Sequence, residues 1–168
     1  MAHCRHWKIY IPVRPKAVQA VRGARGHFHA DRKVRKWKET ILPYIVKACR
    51  GQKPSNLPIR ATGLRYYFKA PESTKPEILE YIKAGGHVPY LGQSDLTDNL
   101  NKGLIDVCKG HIFEDDSQIW WVSGSMKLYG LEDHIELEFE ETPDIINIKG
   151  VACNVDSDKV QIDRDSLI

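Results

Sequence analysis

The stretch Ser94–Gln118, SDLTDNLNKGLIDVCKGHIFEDDSQ, gathers Asp95, Asp98, Asp106, Asp115 and Asp116, with Lys102 in their midst. Its centre reads as a helix from about Thr97 to Lys109, stopped by Gly110. Asp98, Lys102 and Asp106 recur every fourth residue, which sets them along one helical face. Leu100, Leu104, Val107 and Cys108 mark the opposite, core-facing side. Asp95 and Asp98 stand at or just before the helix start, where free backbone N–H groups and the dipole favour carboxylates. The short connection KGHIFE then brings Asp115 and Asp116 to the beginning of the next strand.

Working outward from this stretch, WKIYIPV (Trp7–Val13) alternates and is rich in aromatic and β-branched residues, so it reads as a strand ended by Pro12 and Pro15. The following segment, RPKAVQAVRGARGHFH, reads as a mobile basic loop. From Asp31, a plausible N-cap, to about Arg50 the pattern becomes helical. Val34, Trp37, Ile41, Ile45 and Ala48 form its apolar stripe, and Pro43 is expected to kink or divide it. IRATGLRYYFKA (Ile59–Ala70) reads as a second strand with a bulge at Gly63. A short helix follows at Glu77–Lys83, closed by Gly85 and Gly86. SQIWWVSGSMKLYG reads as a strand in which Trp120 and Trp121 face opposite ways, one of them into the core. HIELEFEE alternates apolar and acidic residues, the signature of a strand with one wet face. The resulting order, β-α-β-(α)-α-β-β, predicts an α+β fold: a mixed sheet with helices mainly on one face.

The chain has 168 residues, enough for one good core and consistent with a single domain over 1–168. Its core spans about 7–141, and 142–168 forms an extension with short β-like runs. No apolar run approaches the roughly 20 residues that cross a bilayer. The N-terminus lacks an apolar signal core, which favours a cytoplasmic protein without membrane contact. Cys4, Cys49, Cys108 and Cys153 are scattered, so a zinc ribbon or disulfide framework is disfavoured. The net charge of +3 hides an asymmetry: residues 1–69 carry +15 and residues 70–168 carry −12. A basic half suits a polyanion such as nucleic acid, and an acidic half suits a metal site or a surface that balances the basic one.

Read from residue types alone, the acidic stretch has several meanings. Asp95 or Thr97 can be an N-cap, Asp98 and Lys102 a surface pair, and the EDD sequence a turn. An EF-hand is disfavoured, because Leu100 stands where its loop needs glycine and Asp106 where it needs glutamate. The sharper reading is a cation site. Converging carboxylates repel unless a positive group joins them, and Mg²⁺ with oxygen ligands also binds substrate phosphate. Lys102 would then support the phosphate.

The run Asp98-Asn99-Leu100-Asn101-Lys102, followed by Asp106, Gly110 and Asp115-Asp116-Ser117-Gln118-Ile119, resembles the signature of the RusA-like Holliday-junction resolvases. Lys127 matches a lysine common on the strand that follows. The resemblance implies a small homodimeric endodeoxyribonuclease that needs Mg²⁺ or Mn²⁺ and cuts four-way DNA junctions symmetrically. It assigns catalysis to Asp95, Asp98, Lys102 and Asp116. The metal ligands would be Asp95, Asp98 and Asp116, with Asp115 and Asp106 secondary. The family places its first aspartate two residues before the second. Here Asp95 lies three before Asp98, as if Thr97 were inserted.

The candidate DNA-phosphate contacts are Arg14, Lys16, Arg22, Arg25, Arg32, Lys33, Arg35 and Lys36. Such contacts are largely blind to sequence and suit a protein that reads junction shape. His27 and His29 lack a further Cys or His nearby, so a loop or phosphate role is favoured over chelation. Two other functions fit the same residues: a nuclease for flaps, forks or other branched DNA, and an inactive DNA-binding module.

Overall fold

The computed structural model describes residues 4–18, 20–22, 28–30 and 32–143, with only the backbone at 20–22 and 28–30. The Asp31 cap, Arg25, His27 and the runs beyond Pro143 lie outside the described residues. The strands are β1 (His6–Ile11), β2 (Ala20–Arg22), β3 (Phe28–Ala30), β4 (Ile59–Lys69), β5 (Val88–Pro89), β6 (Ile119–Val122), β7 (Ser125–Gly130) and β8 (His134–Glu141). The helices are α1 (Arg32–Cys49), α2 (Pro76–Lys83) and α3 (Lys102–Cys108).

The architecture is α+β. A mixed six-stranded sheet runs in the order β1-β8-β4-β7-β5, and β6 also pairs with β4. The long strand β4 is its spine. β8 lies antiparallel along one side of it. On the other side, β6 runs parallel to Ile59–Ala61 and β7 parallel to Leu64–Lys69. The segment expected as one strand from Ser117 is thus two, separated at Ser123–Gly124. Gly124 has φ +60°, and a Cβ there would stand 2.6 Å from the Thr62 carbonyl oxygen, so only glycine fits this close approach.

Period-2 burial decides which face carries the core. Ile135, Leu137 and Phe139 of β8 alternate with half-exposed glutamates. Trp7, Ile9 and Ile11 of β1 and Ile59, Ala61, Leu64, Tyr66 and Phe68 of β4 complete the buried side. Against it, α1 lays Trp37, Ile41, Ile45 and Cys49, and α3 lays Leu104, Val107 and Cys108. Fully burying one such isoleucine or leucine contributes about 1.5–3 kcal/mol. In contrast, α2 buries no residue.

The structure departs from expectation in four places. First, α1 is continuous through Pro43. Pro43 and Glu39 are both exposed, so the carbonyl that loses its helical donor can turn to water. Second, the basic loop contains a two-stranded antiparallel ribbon, β2–β3, with Val21 opposite His29. Third, the register of β4 against β6 slips after Ile59↔Ile119, so that Arg60 pairs with Trp121. Trp120 becomes the extra residue. Neither tryptophan enters the core: they are 47% and 50% exposed, with rings edge to face at 5.8 Å. Fourth, the acidic helix does not start as an α-helix at Thr97. As expected, Gly63 sits at a register shift between β4 and β8.

The open face of the sheet carries much of the charge balance. Glu140 pairs with Arg60 at 2.7 Å, Glu138 with Lys8 at 3.2 Å, and Glu136 with Arg65 at 3.6 Å. Buried Glu141 accepts from Arg5 Nε at 2.8 Å and from Ser55 Oγ at 2.6 Å. Burial alone would raise the Glu141 carboxyl, but these donors hold it below its ordinary value. The acids of β8 are therefore partners of the basic N-terminal half.

Candidate active site

The acidic helix opens with a wide turn. Residues Leu96–Asn101 form a π-helical segment, in which the Leu100 N–H donates to the Asp95 carbonyl at 3.1 Å. The α-helical pattern begins only at Lys102. A π-turn holds one residue more than an α-turn, and it accommodates a single inserted residue without disturbing the helix that follows. Thr97, the surplus residue in the comparison with the resolvase signature, lies inside it. Asp95 is the N-cap: its Oδ1 accepts from the backbone N–H groups of Thr97 at 2.8 Å and Asp98 at 3.1 Å. The Asp98 N–H, the Thr97 hydroxyl and more distant Lys127 hold the Asp95 carboxyl below the ordinary aspartate range.

A buried polar triad fixes this turn to the sheet. Asn101 is 9% exposed. Its Oδ1 accepts from the Tyr66 hydroxyl at 2.9 Å, and its Nδ2 donates to Ser125 Oγ at 2.9 Å. Burial pushes the Tyr66 hydroxyl well above its usual value, so it remains a donor. Lys127, on β7, donates to the carbonyls of Gly92 at 3.0 Å and Ser94 at 2.7 Å, which ties down the loop leading into Asp95. The segment before the basic ribbon crosses the same helix. The Val18 N–H donates to the Asn99 carbonyl at 3.2 Å. A Cβ on Gly103 would stand 2.2 Å from Val18 Cγ2, so glycine permits this crossing beside Lys102.

The second acidic pair is shaped by its own turn. Asp115 caps a short 3-10 turn, Asp116–Gln118, by accepting from the Ser117 N–H at 3.0 Å. Gln118 accepts from the Asp115 N–H at 2.7 Å and donates to the carbonyls of Ser55 and Leu57, each at 2.8 Å. The glutamine therefore pins Asp115 and Asp116 to the loop that enters β4. Lys109, at the end of α3, pairs with both aspartates and lies 3.0 Å from Asp116 Oδ1. Its ammonium and the Ser117 N–H hold the Asp115 carboxyl far below the ordinary range. The same pairing raises the Lys109 ammonium.

Between the two acidic segments lies a groove of about 490 Å³ lined by Lys102, Asp106 and Asp116, with Ile105, Ile119 and Val122 as its apolar surface. Of the expected site residues, Lys102, Asp106 and Asp116 thus share one groove. Asp95 and Asp98 occupy the turn that leads into Lys102, exposed and outside the groove lining. Asp115 is turned to Lys109. Asp106 is met from α1 by Lys38, whose Nζ lies 3.0 Å from Oδ2. Asp98 and Lys102 have no ion-pair partner among the described residues. The donor chemistry suits a hard divalent cation, since every candidate ligand is a carboxylate. However, among the described residues no group of three or more His, Cys, Asp or Glu is arranged to hold an ion.

The expected phosphate contacts divide. Arg32, Lys33, Arg35 and Lys36 are exposed on α1, with Arg35 3.4 Å from Glu39. Lys16 is half-buried beside the helix crossing. Arg14 reaches Asp133 at 3.5 Å and lies over the Phe68 ring. Arg22 lies in β2, and Arg25 lies outside the described residues.

Sequence reasoning missed Asn101, Lys109, Lys38 and Gln118 as positioning groups. Two carried a signal. Asn101 is an amide three residues before Leu104, on the apolar side, so it needed a buried partner. Gln118 is the third residue after the cap Asp115, the spacing of a capping box.

A family model described as endodeoxyribonuclease RusA matches residues 11–140, which include the groove, both acidic segments and Lys127. The chain belongs to the RusA endodeoxyribonuclease family. It matches none of the curated proteins with which it was compared. Among the described residues of this RusA-family chain, no helix is long and apolar enough to cross a membrane.

Proposed function

We propose that this RusA-family chain is a divalent-metal-dependent endonuclease that resolves four-way DNA junctions by paired, symmetric phosphodiester hydrolysis, acting as a homodimer. The observation that carries this reading is the exposed Lys102, which shares a groove with Asp116 and follows a turn carrying Asp95 and Asp98. Family membership supports DNA as substrate and hydrolysis as the reaction.

Asp95, Asp98 and Asp116 would hold Mg²⁺ or Mn²⁺, with Asp115 and Asp106 able to supplement them. A bound ion supplies an activated water and offsets the charge of the phosphodiester transition state. Lys102 would place its ammonium against the scissile phosphate, where developing charge is stabilised without proton transfer. Lys109 acts as the resting counter-charge of Asp116 through Oδ1. Lys127 and Asn101 would act through Asp95 and Lys102 by fixing the turn that carries them. Two cuts require two sites, which is the reason for a second copy. Exposed Arg32, Lys33, Arg35 and Lys36 of α1, with Arg22 of the ribbon, would take up phosphates of the arms.

Cleavage of a synthetic four-way junction, titrated with Mg²⁺ and compared with a linear duplex, tests the reading. Metal-dependent cutting of the junction in preference to the duplex is expected. Equal cutting of flaps and forks would make branched DNA in general the substrate. Junction binding without cutting at any metal concentration would contradict the proposed chemistry.

A further inference from the structure

We infer that the groove between β1 and α1 is a second binding surface for the sugar–phosphate backbone, engaging an arm of branched DNA other than the one being cut. This rests on the reading of the chain as an enzyme of branched DNA. The groove has a volume of about 1020 Å³. Arg5, His6, Lys8, Lys47 and Arg50 line it, and no Asp or Glu does. Arg5 and Lys8 share their charge with Glu141 and Glu138. Lys47 and Arg50 are exposed and have no carboxylate partner among the described residues.

Three features favour a phosphodiester backbone as the occupant. The lining is of one sign, which concentrates a polyanion. β1 ends the sheet, with β8 as its one neighbour among the described strands, so its outer backbone N–H groups remain available as phosphate donors. Tyr10 and Tyr44 add exposed rings with hydroxyl donors to the same lining. The position also fits. One flank of α1 sends Lys38 to Asp106 in the candidate active-site groove, while Tyr44, Lys47 and Ala48 line this other groove. A single helix therefore stands between the acid-bearing candidate active-site groove and this basic one, as a protein that grips two arms of one branch point requires.

The test is the double charge reversal Lys47→Glu with Arg50→Glu in the full chain. Its match in net charge is Lys75→Glu with Lys83→Glu, on and beside α2. Binding of a labelled four-way junction is measured by anisotropy in EDTA, across about 50–200 mM salt. The groove variant should bind the junction about 10-fold more weakly, with a salt slope reduced by about 2, while the α2 variant changes little. The α2 variant should also cut the junction at the rate of the unaltered protein. Unchanged affinity and slope, or an equal loss in the α2 variant, would overturn the inference. So would a lower oligomeric state of the groove variant in sedimentation, which would make this groove an interface between copies. If the unaltered protein binds junctions without cutting them, the catalytic reading fails, and the binding comparison still decides the groove.

Discussion

Two acidic regions of this molecule use carboxylates in opposite ways. On β8, Glu136, Glu138, Glu140 and Glu141 each meet an arginine or lysine from the basic half of the chain, at distances down to 2.7 Å. In the turn into α3, Asp95 is held by backbone N–H groups, and the Asp98 carboxylate and the Lys102 ammonium have no ion-pair partner among the described residues. Carboxylates therefore serve neutralisation in one place and exposure in the other. A strand alternates its side chains, so its wet face can be matched residue by residue with neighbouring strands. The turn into α3 instead holds Asp95 mainly by backbone N–H groups and leaves Asp98 without an ion-pair partner among the described residues.

That contrast predicts that substitutions at the two regions separate activity from stability. The largest effect is expected at Lys102→Ala. Cutting of branched DNA should fall about 100-fold or more, because charge stabilisation at the phosphate is lost. Stability in urea should stay within about 0.5 kcal/mol, since the residue is exposed. A large loss of stability with intact cutting would erase the contrast.

Glu141→Ala should behave in the reverse sense. It strips Arg5 and buried Ser55 of their acceptor and should cost about 2 kcal/mol, with the cutting rate at saturation unchanged. The pH dependence follows from the depressed Glu141 carboxyl. Its stabilisation is complete above the unfolded carboxylate pKa and fades as pH falls through the lower folded value. The gap in stability between the two proteins should accordingly narrow in acid, as urea titrations at neutral and acidic pH would show. A gap that widened in acid would contradict the ion pair.

Tyr66→Phe sharpens the comparison, since it touches the support of the active turn rather than its charge. Loss of the hydroxyl on Asn101 should cost about 1 kcal/mol, with the cutting rate reduced more than junction affinity. The smallest effect is expected at Glu140→Gln. Its pair with Arg60 is partly exposed and should contribute no more than about 0.5 kcal/mol. Urea midpoints measure both.

Much of this division was legible in the residues. The alternation in HIELEFEE announced β8 and its wet face, and the spacing of Trp37, Ile41 and Ile45 announced α1. The signature from Asp98 to Ile119 identified the family. Other features depended on contacts distant in sequence. The bulge that turns both Trp120 and Trp121 outward comes from register against β4. The ribbon at 20–30 pairs short segments whose residues also suit a loop. The signature showed Asp95 one residue farther from Asp98 than the resemblance implies, and could not say that the backbone makes a π-turn there. At the site, Lys102 and Asp116 were singled out by the resemblance to the resolvase signature, and one groove is lined by both. The hold of Lys109 on Asp115 and Asp116 escaped notice, because a lysine seven residues before Asp116 acquires meaning only when the chain doubles back at Gly110.

The central claim is that the unpaired acid at the start of α3 serves chemistry rather than folding. The direct measurement is cleavage and binding of a four-way junction by Asp98→Asn in Mg²⁺. The account predicts cutting lower by about 100-fold or more, with junction affinity and urea stability essentially retained. Cutting at the unaltered rate would contradict it.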